Sequence, residues 1–179
     1  MRKSMIALAL VAAAGLVSHS ASAQAMKGSG SSEKQFQFGP QVDFATQSIG
    51  LGVGGRVVYN GLGTALNLPG LRALASFDYF FPGSGFGVSA KYWEINANAT
   101  YDLKLSGVTR FAPYVGAGLS YDNWSFDLFG LGNASYNSTA LNVLGGGRFK
   151  LGAKLNAFAE ARFELRSGGA LVLTGGLLF

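Results

Sequence analysis

From Tyr92 to Leu103 the chain alternates without a break. Trp93, Ile95, Ala97, Ala99, Tyr101 and Leu103 fall on one parity, and Tyr92, Glu94, Asn96, Asn98, Thr100 and Asp102 on the other. A period of two puts successive side chains on opposite faces of an extended strand, so this segment must separate an apolar medium from a polar one. The period recurs along the chain. Phe36, Phe38, Pro40, Val42 and Phe44 oppose Gln35, Gln37, Gly39, Gln41 and Asp43. Leu51, Val53, Val57 and Tyr59 oppose Gly50, Gly52, Gly54 and Arg56, and Leu71, Ala73, Ala75, Phe77, Tyr79 and Phe81 oppose Arg72, Ser76 and Asp78. A fifth run, Phe111 to Tyr121, sets Phe111, Val115, Ala117, Leu119 and Tyr121 against Tyr114, Gly116, Gly118 and Ser120. The sixth sets Leu141, Val143, Phe149 and Leu151 against Asn142, Gly146, Arg148 and Lys150. The seventh sets Leu155, Ala157, Ala159, Ala161, Phe163 and Leu165 against Lys154, Asn156, Glu160, Arg162, Glu164 and Arg166. In the last, Leu171, Leu173, Leu177 and Phe179 are in phase.

The location of the charges decides which parity faces what. Across the eight segments they lie on the polar parity, and the apolar parity is almost free of them. In water that face would be a very large exposed patch; a soluble barrel shows the inverse, apolar inside and charged outside. Hydrophobic residues make up 49% of the chain and charged residues only 13%, against roughly 25% charged in a globular protein. Segments of roughly 9–13 residues suit tilted membrane strands. The reading is all-β: an eight-stranded antiparallel up-and-down transmembrane β-barrel over residues 35–179. Aromatics on the outward parity should form a girdle at each rim, with Phe36, Tyr59, Tyr101, Phe111, Phe149 and Phe179 at one end and Phe44, Phe81, Trp93 and Tyr121 at the other.

The N-terminus reads as an export signal. Arg2 and Lys3 precede an apolar run from Met5 to Val17 and a small-residue stretch ending Ala21-Ser22-Ala23, the pattern of a cleaved secretory peptide over residues 1–23. Residues 24–34, rich in Ser, Gly and Lys, read as a flexible segment. Losing Arg2 and Lys3 leaves 12 basic residues against nine acidic ones, a net charge of +3. With these scattered along the chain, no nucleic-acid partner is expected. There is no cysteine, which excludes disulfides and a lipidated N-terminal Cys.

The C-terminal LVLTGGLLF, with Leu171, Leu173, Leu177 and the terminal aromatic Phe179 in phase, resembles the signal read by the bacterial barrel assembly machinery. The glycine-rich Ala112-Pro113-Tyr114-Val115-Gly116-Ala117-Gly118 and Leu144-Gly145-Gly146-Gly147-Arg148-Phe149 resemble strands of the same superfamily. Over residues 35–179 the chain resembles the OmpA-type and OmpX-type small outer-membrane barrels. That resemblance implies a bacterial cell outer-membrane location, with membrane lipid, lipopolysaccharide and the assembly machinery as partners. The chain stops at its final strand, so the peptidoglycan-binding domain of OmpA, and with it a cell-wall tether, is not implied. With both termini periplasmic, the outer loops would be 45–49, 82–89, 122–138 and 166–169. Of these, 122–138 is the candidate surface for a partner, or else a loop packed on its own rim. The inner connection 60–70 is longer than such barrels usually have.

Function is less constrained. Some barrels of this size act on lipid A with a histidine base, but the only histidine here is His19, inside the signal segment. Without His or Cys the mature chain lacks the usual bases, nucleophile and soft metal ligands, so a non-enzymatic protein with no cofactor and no metal is expected. Gly50 to Gly55 matches a dinucleotide-binding pattern, but the run continues as strand where that pattern needs a helix. The candidate functional residues are the inward charges Arg56, Arg72, Asp78, Glu94, Asp102, Arg148, Glu160, Arg162 and Glu164. Buried charges must be paired or hydrated, and eight strands enclose just enough room for side chains. The favoured reading is a plug of salt bridges with a structural, envelope-integrity or surface-interaction role. The alternative is a narrow channel, or a conduit for small solutes such as OmpW-like barrels provide. For the export signal, N-terminal sequencing of the protein recovered from outer membranes should read Gln24 first, and a chain retaining Met1 would refute cleavage there.

Overall fold

The computed structural model describes residues 34–83, 88–105, 110–128, 133–152, 154–166 and 168–179. The signal segment and nearly all of the flexible segment expected at 24–34 lie outside them. Eight strands follow in order: β1 (Phe36–Ala45), β2 (Gly50–Tyr59), β3 (Leu71–Phe81), β4 (Val88–Asp102), β5 (Phe111–Leu128), β6 (Asn133–Lys150), β7 (Asn156–Leu165) and β8 (Ala170–Leu178). Each pairs antiparallel with the next, and β1 closes on β8 through Gln41↔Gly176 to Ala45↔Val172. Among the described residues no helix is long and apolar enough to cross a membrane.

The alternation seen in the sequence is the inside-outside alternation of this wall. On β1, Phe38 and Val42 are 61% and 63% exposed, whereas Gln41 and Asp43 on the other parity are buried. On β4, Ile95, Ala97, Ala99 and Tyr101 point out, and Glu94, Asn96, Asn98 and Thr100 point in. A closed antiparallel ladder has no open edge and satisfies its backbone groups internally, the condition for crossing hydrocarbon with strands. The aromatic rims are present at both ends. Phe36 and Tyr59 rings lie 4.9 Å apart and Phe111 and Phe149 4.8 Å apart at the end carrying the barrel termini. Trp93 and Tyr121 lie 5.8 Å apart toward the other.

Two connections differ from expectation. The segment 60–70 holds a single helical turn, α1 (Leu62–Ala65), and closes with Asn67 and Gly70 at positive φ. It absorbs the extra length without shifting the register, since Tyr59↔Ala73 continues directly into Leu51↔Phe81. The larger correction concerns 122–138, expected as a surface loop. It is mostly strand: β5 and β6 stay paired from Asp122↔Ser138 to Asp127↔Asn133, so only 129–132 joins them. Val88 and Ser89, expected in the loop 82–89, likewise belong to β4 and pair with Leu128 and Asp127. The physical reason is a change of phase. Above Tyr121 the inward parity carries Trp124, Phe126 and Tyr136, and the outward parity carries Asn123, Ser125, Ser135 and Asn137. Where water replaces lipid outside, the polar residues move to the outer face, and a pattern keyed to outward apolar residues stops.

Inward glycines make room for large inward side chains. A Cβ on Gly52 would enter the Phe80 ring, one on Gly146 the Tyr114 ring and one on Gly176 the Phe158 ring. On Gly118 it would run into the Ala97 carbonyl and Asn98, where backbone cannot give way, whereas on Gly145 it would meet nothing closer than 3.9 Å. Gly118→Ala should therefore lower stability by about 1–3 kcal/mol, while Gly145→Ala should stay within about 0.5 kcal/mol of the parent. Urea unfolding in detergent or lipid measures both, and equal effects would contradict the inside-outside assignment.

Candidate functional site

All nine sequence-selected charges point into the lumen, where they form three tiers. Nearest the termini, Asp102 is held between two arginines. Arg72 donates to its Oδ2 from Nε at 2.9 Å, and Arg148 Nη2 pairs with Oδ1. The Arg148 guanidinium lies over the Tyr114 ring, 4.8 Å from its centroid. Above this tier Val58, Leu74, Phe158 and Leu178 form an apolar layer.

In the middle tier Arg56 makes a two-pronged ion pair with Glu160, Nη1 to Oε2 at 3.2 Å and Nη2 to Oε1 at 3.0 Å. Its Nε donates to Gln41 Oε1 at 2.6 Å, and its guanidinium sits 3.9 Å from the centroid of the Phe158 ring. Tyr114 Oη donates to Glu160 Oε2 at 2.8 Å. Strand geometry places these groups together: β2 and β7 lie on different sides of the barrel, and their inward side chains meet across the lumen.

The upper tier begins from an unfavourable arrangement. Asp78, Glu94 and Asp122 occupy directly opposed positions on β3, β4 and β5, and like charges so placed repel. Arg162, with no solvent exposure, reaches across from β7 and compensates. Its Nη2 lies 2.5 Å from Glu94 Oε1 and 3.5 Å from Glu164 Oε1, and its Nη1 lies 3.9 Å from Asp78 Oδ2. Arg166 pairs with Asp122 at 2.5 Å and with Glu164 at 3.0 Å. Neutral donors add hydrogen bonds to Asp78 and Glu94, whereas Arg162 Nε and Nη1 and both Glu164 carboxylate oxygens are buried without one. Gln41 Nε2 donates to Asp78 Oδ1 at 2.6 Å, Ser76 Oγ to Asp78 Oδ2 at 2.9 Å, and Tyr92 Oη to Glu94 Oε2 at 2.9 Å. A second apolar layer of Ala45, Ile49, Phe80, Tyr92, Ala170 and Val172, with Trp124 against it, covers this tier.

Three lumen charges were missing from the sequence-derived set. Asp43 accepts from Thr174 Oγ1 at 2.6 Å; it stood on the polar parity of β1 and was readable there. Asp122 falls in the expected loop 122–138, although carrying the even-numbered parity of Gly118 and Ser120 two residues further reaches it, and Arg166 stands both on the polar parity of the seventh segment and at the first position of the expected loop 166–169. With them the interior holds, among the described residues, seven carboxylates (Asp43, Asp78, Glu94, Asp102, Asp122, Glu160 and Glu164) and five guanidiniums (Arg56, Arg72, Arg148, Arg162 and Arg166). Among the described residues no group of three or more His, Cys, Asp or Glu side chains converges to hold a metal ion. Beyond the upper apolar layer the mouth opens into a recess of about 590 Å³, bounded by Gln47, Trp124, Phe126, Tyr136 and Arg166. On the last strand Leu171, Leu173 and Leu177 face outward, and Phe179, just beyond it, is exposed as well.

No protein-family model matches the chain, and no curated protein sequence matches it. Solved structures do. Neisserial surface protein A superposes with a TM-score of 0.57 at 21% identity, covering 80% of this chain and 94% of that one. The N-terminal β-barrel domain of Pseudomonas aeruginosa OprF gives 0.57 at 16% identity, covering 80% and 96%. Ail, the attachment invasion locus protein of Yersinia pestis, gives 0.53 at 14% identity, covering 80% and 96%. At these identities the likeness is one of fold, and it is the fold of the small eight-stranded outer-membrane β-barrels.

Proposed function

We propose that this chain is a non-enzymatic protein of the bacterial outer membrane whose lumen is a plug, and that its role is structural or surface-interacting rather than transport. The observation that carries this reading is the stacking of tiers. Charged groups are cross-linked through Arg56–Glu160 and the Arg162 cluster, with an apolar layer toward each end. Ions crossing such an interior would have to displace paired buried charges as well as both layers, and each buried ion left without a partner costs several kcal/mol. The exposed apolar wall supports placement in lipid. The paired extension of β5 and β6 beyond the upper aromatic rim offers a surface for a partner, replacing the loop expected at 122–138.

Single-channel recording of the purified protein in planar bilayers tests the plug. The expected result is silence from a sample shown to be folded. Discrete openings in the parent that Glu94→Ala or Arg148→Ala alters would overturn it and make a narrow conduit the function. A second prediction concerns stability. Arg162→Met removes the group that Glu94, Glu164 and Asp78 share and should cost about 3–5 kcal/mol, the typical penalty for stranding one side of a buried pair. Lys91→Gln, an exposed change, should stay within about 0.5 kcal/mol, and equal unfolding midpoints for the two variants would show that the cluster carries no weight.

A further inference from the structure

The charges outside the lumen are distributed very unevenly between the two ends. At the end carrying the barrel termini, Lys34, Lys104, Arg110, Lys150 and Lys154 are all exposed. Among the described residues none of them is in an ion pair, and the nearby acid Asp102 is already held by Arg72 and Arg148. At the opposite end Lys91 is the only exposed base among the described residues.

These cations are also set at a particular height. Lys104 lies between exposed Leu103 and Leu105, and Lys150 between exposed Phe149 and Leu151. Arg110 precedes Phe111 of the aromatic rim, and its carbonyl accepts from Lys150 N at 2.9 Å, so these two bases sit side by side on neighbouring strands. With these apolar neighbours in acyl chains, the adjacent cations would stand near the lipid phosphates, which long basic side chains reach by extending outward.

We propose that this rim binds anionic phospholipid, with Lys104, Arg110, Lys150 and Lys154 contacting the phosphate groups of phosphatidylglycerol-type lipid in the leaflet it meets. The proposal rests on the membrane-barrel reading and adds a lipid class and a face to it. A cluster of several bases near an anionic surface gains affinity with each cation and loses it as salt screens the interaction.

The test is electron spin resonance of spin-labelled phosphatidylglycerol and phosphatidylcholine around the protein reconstituted in phosphatidylcholine. Folding is checked independently by heat-modifiable migration and protease resistance. The expected result is a preference for the anionic lipid of roughly three- to tenfold, falling close to one in the variant K104Q/R110Q/K150Q/K154Q and unchanged in K91Q. High salt should abolish the preference in the parent, which reads the same contact without any substitution if the quadruple variant fails to fold. A folded parent with no preference, a preference that survives in the quadruple variant, or one indifferent to salt would each overturn the proposal while leaving the barrel reading intact. A parent that does not insert into either lipid would overturn the barrel reading itself.

Discussion

A guanidinium with no access to solvent, Arg162, lies within reach of Glu94, Glu164 and Asp78, and the arrangement of the upper interior depends on it. Taking such a group from water costs several kcal/mol, recovered only when partners and hydrogen bonds are nearly complete. Its partners come from β3 and β4 across the lumen and from its own strand, so these ion pairs form in one register alone. A one-residue slip of β7 would turn Ala161 inward and put Arg162 into hydrocarbon. The outward face penalises the same slip by drawing Phe163 and Leu165 from lipid into the polar interior. Register is thus fixed from both sides of a wall one residue thick.

That thinness is why so much of the fold was legible. In a membrane barrel every strand residue faces either lipid or lumen, so a period of two reports side-chain direction along most of the chain, and the outward set from Phe36 to Phe179 could be read with little ambiguity. Partnerships could not. Arg56 and Glu160 are 104 positions apart and meet across the lumen, a contact set by barrel diameter and strand stagger, neither of which a single strand encodes. Apolar residues on the inward parity were equally opaque. Leu74, Phe80 and Phe158 look like interruptions of a polar face, yet they belong to the two apolar layers that bracket the middle and upper charged tiers.

The error at 122–138 has a related cause. Reading strands by outward hydrophobicity assumes that the outer medium stays the same along the strand. Above Trp93 and Tyr121 the outward residues become Asn123, Ser125, Ser135 and Asn137, with Asn123 Nδ2 donating to Asn137 Oδ1 across the pair, while aromatic residues turn toward the mouth. The sheet continues and its polarity inverts. The position of that inversion marks where the hydrocarbon ends, and the three-stranded extension of β4, β5 and β6 beyond it is built like a sheet in water, polar on its outer face.

Residue type sorts by environment as sharply as charge does. Every base inside the lumen is arginine, and every exposed base on the described barrel except Arg110 is lysine. Guanidinium is the more weakly hydrated cation and can grip a carboxylate with two parallel bonds, as Arg56 grips Glu160, so it tolerates burial in a crowded lumen. Ammonium holds its water more strongly, and its flexible stem suits a rim where apolar carbons meet lipid and the charge stays wet. Among the described residues carboxylates outnumber guanidiniums inside, seven to five, and the exposed bases stand mostly at one end. The barrel is therefore polarised along its length, with its unpaired cations concentrated at the rim where β1 begins and β8 ends.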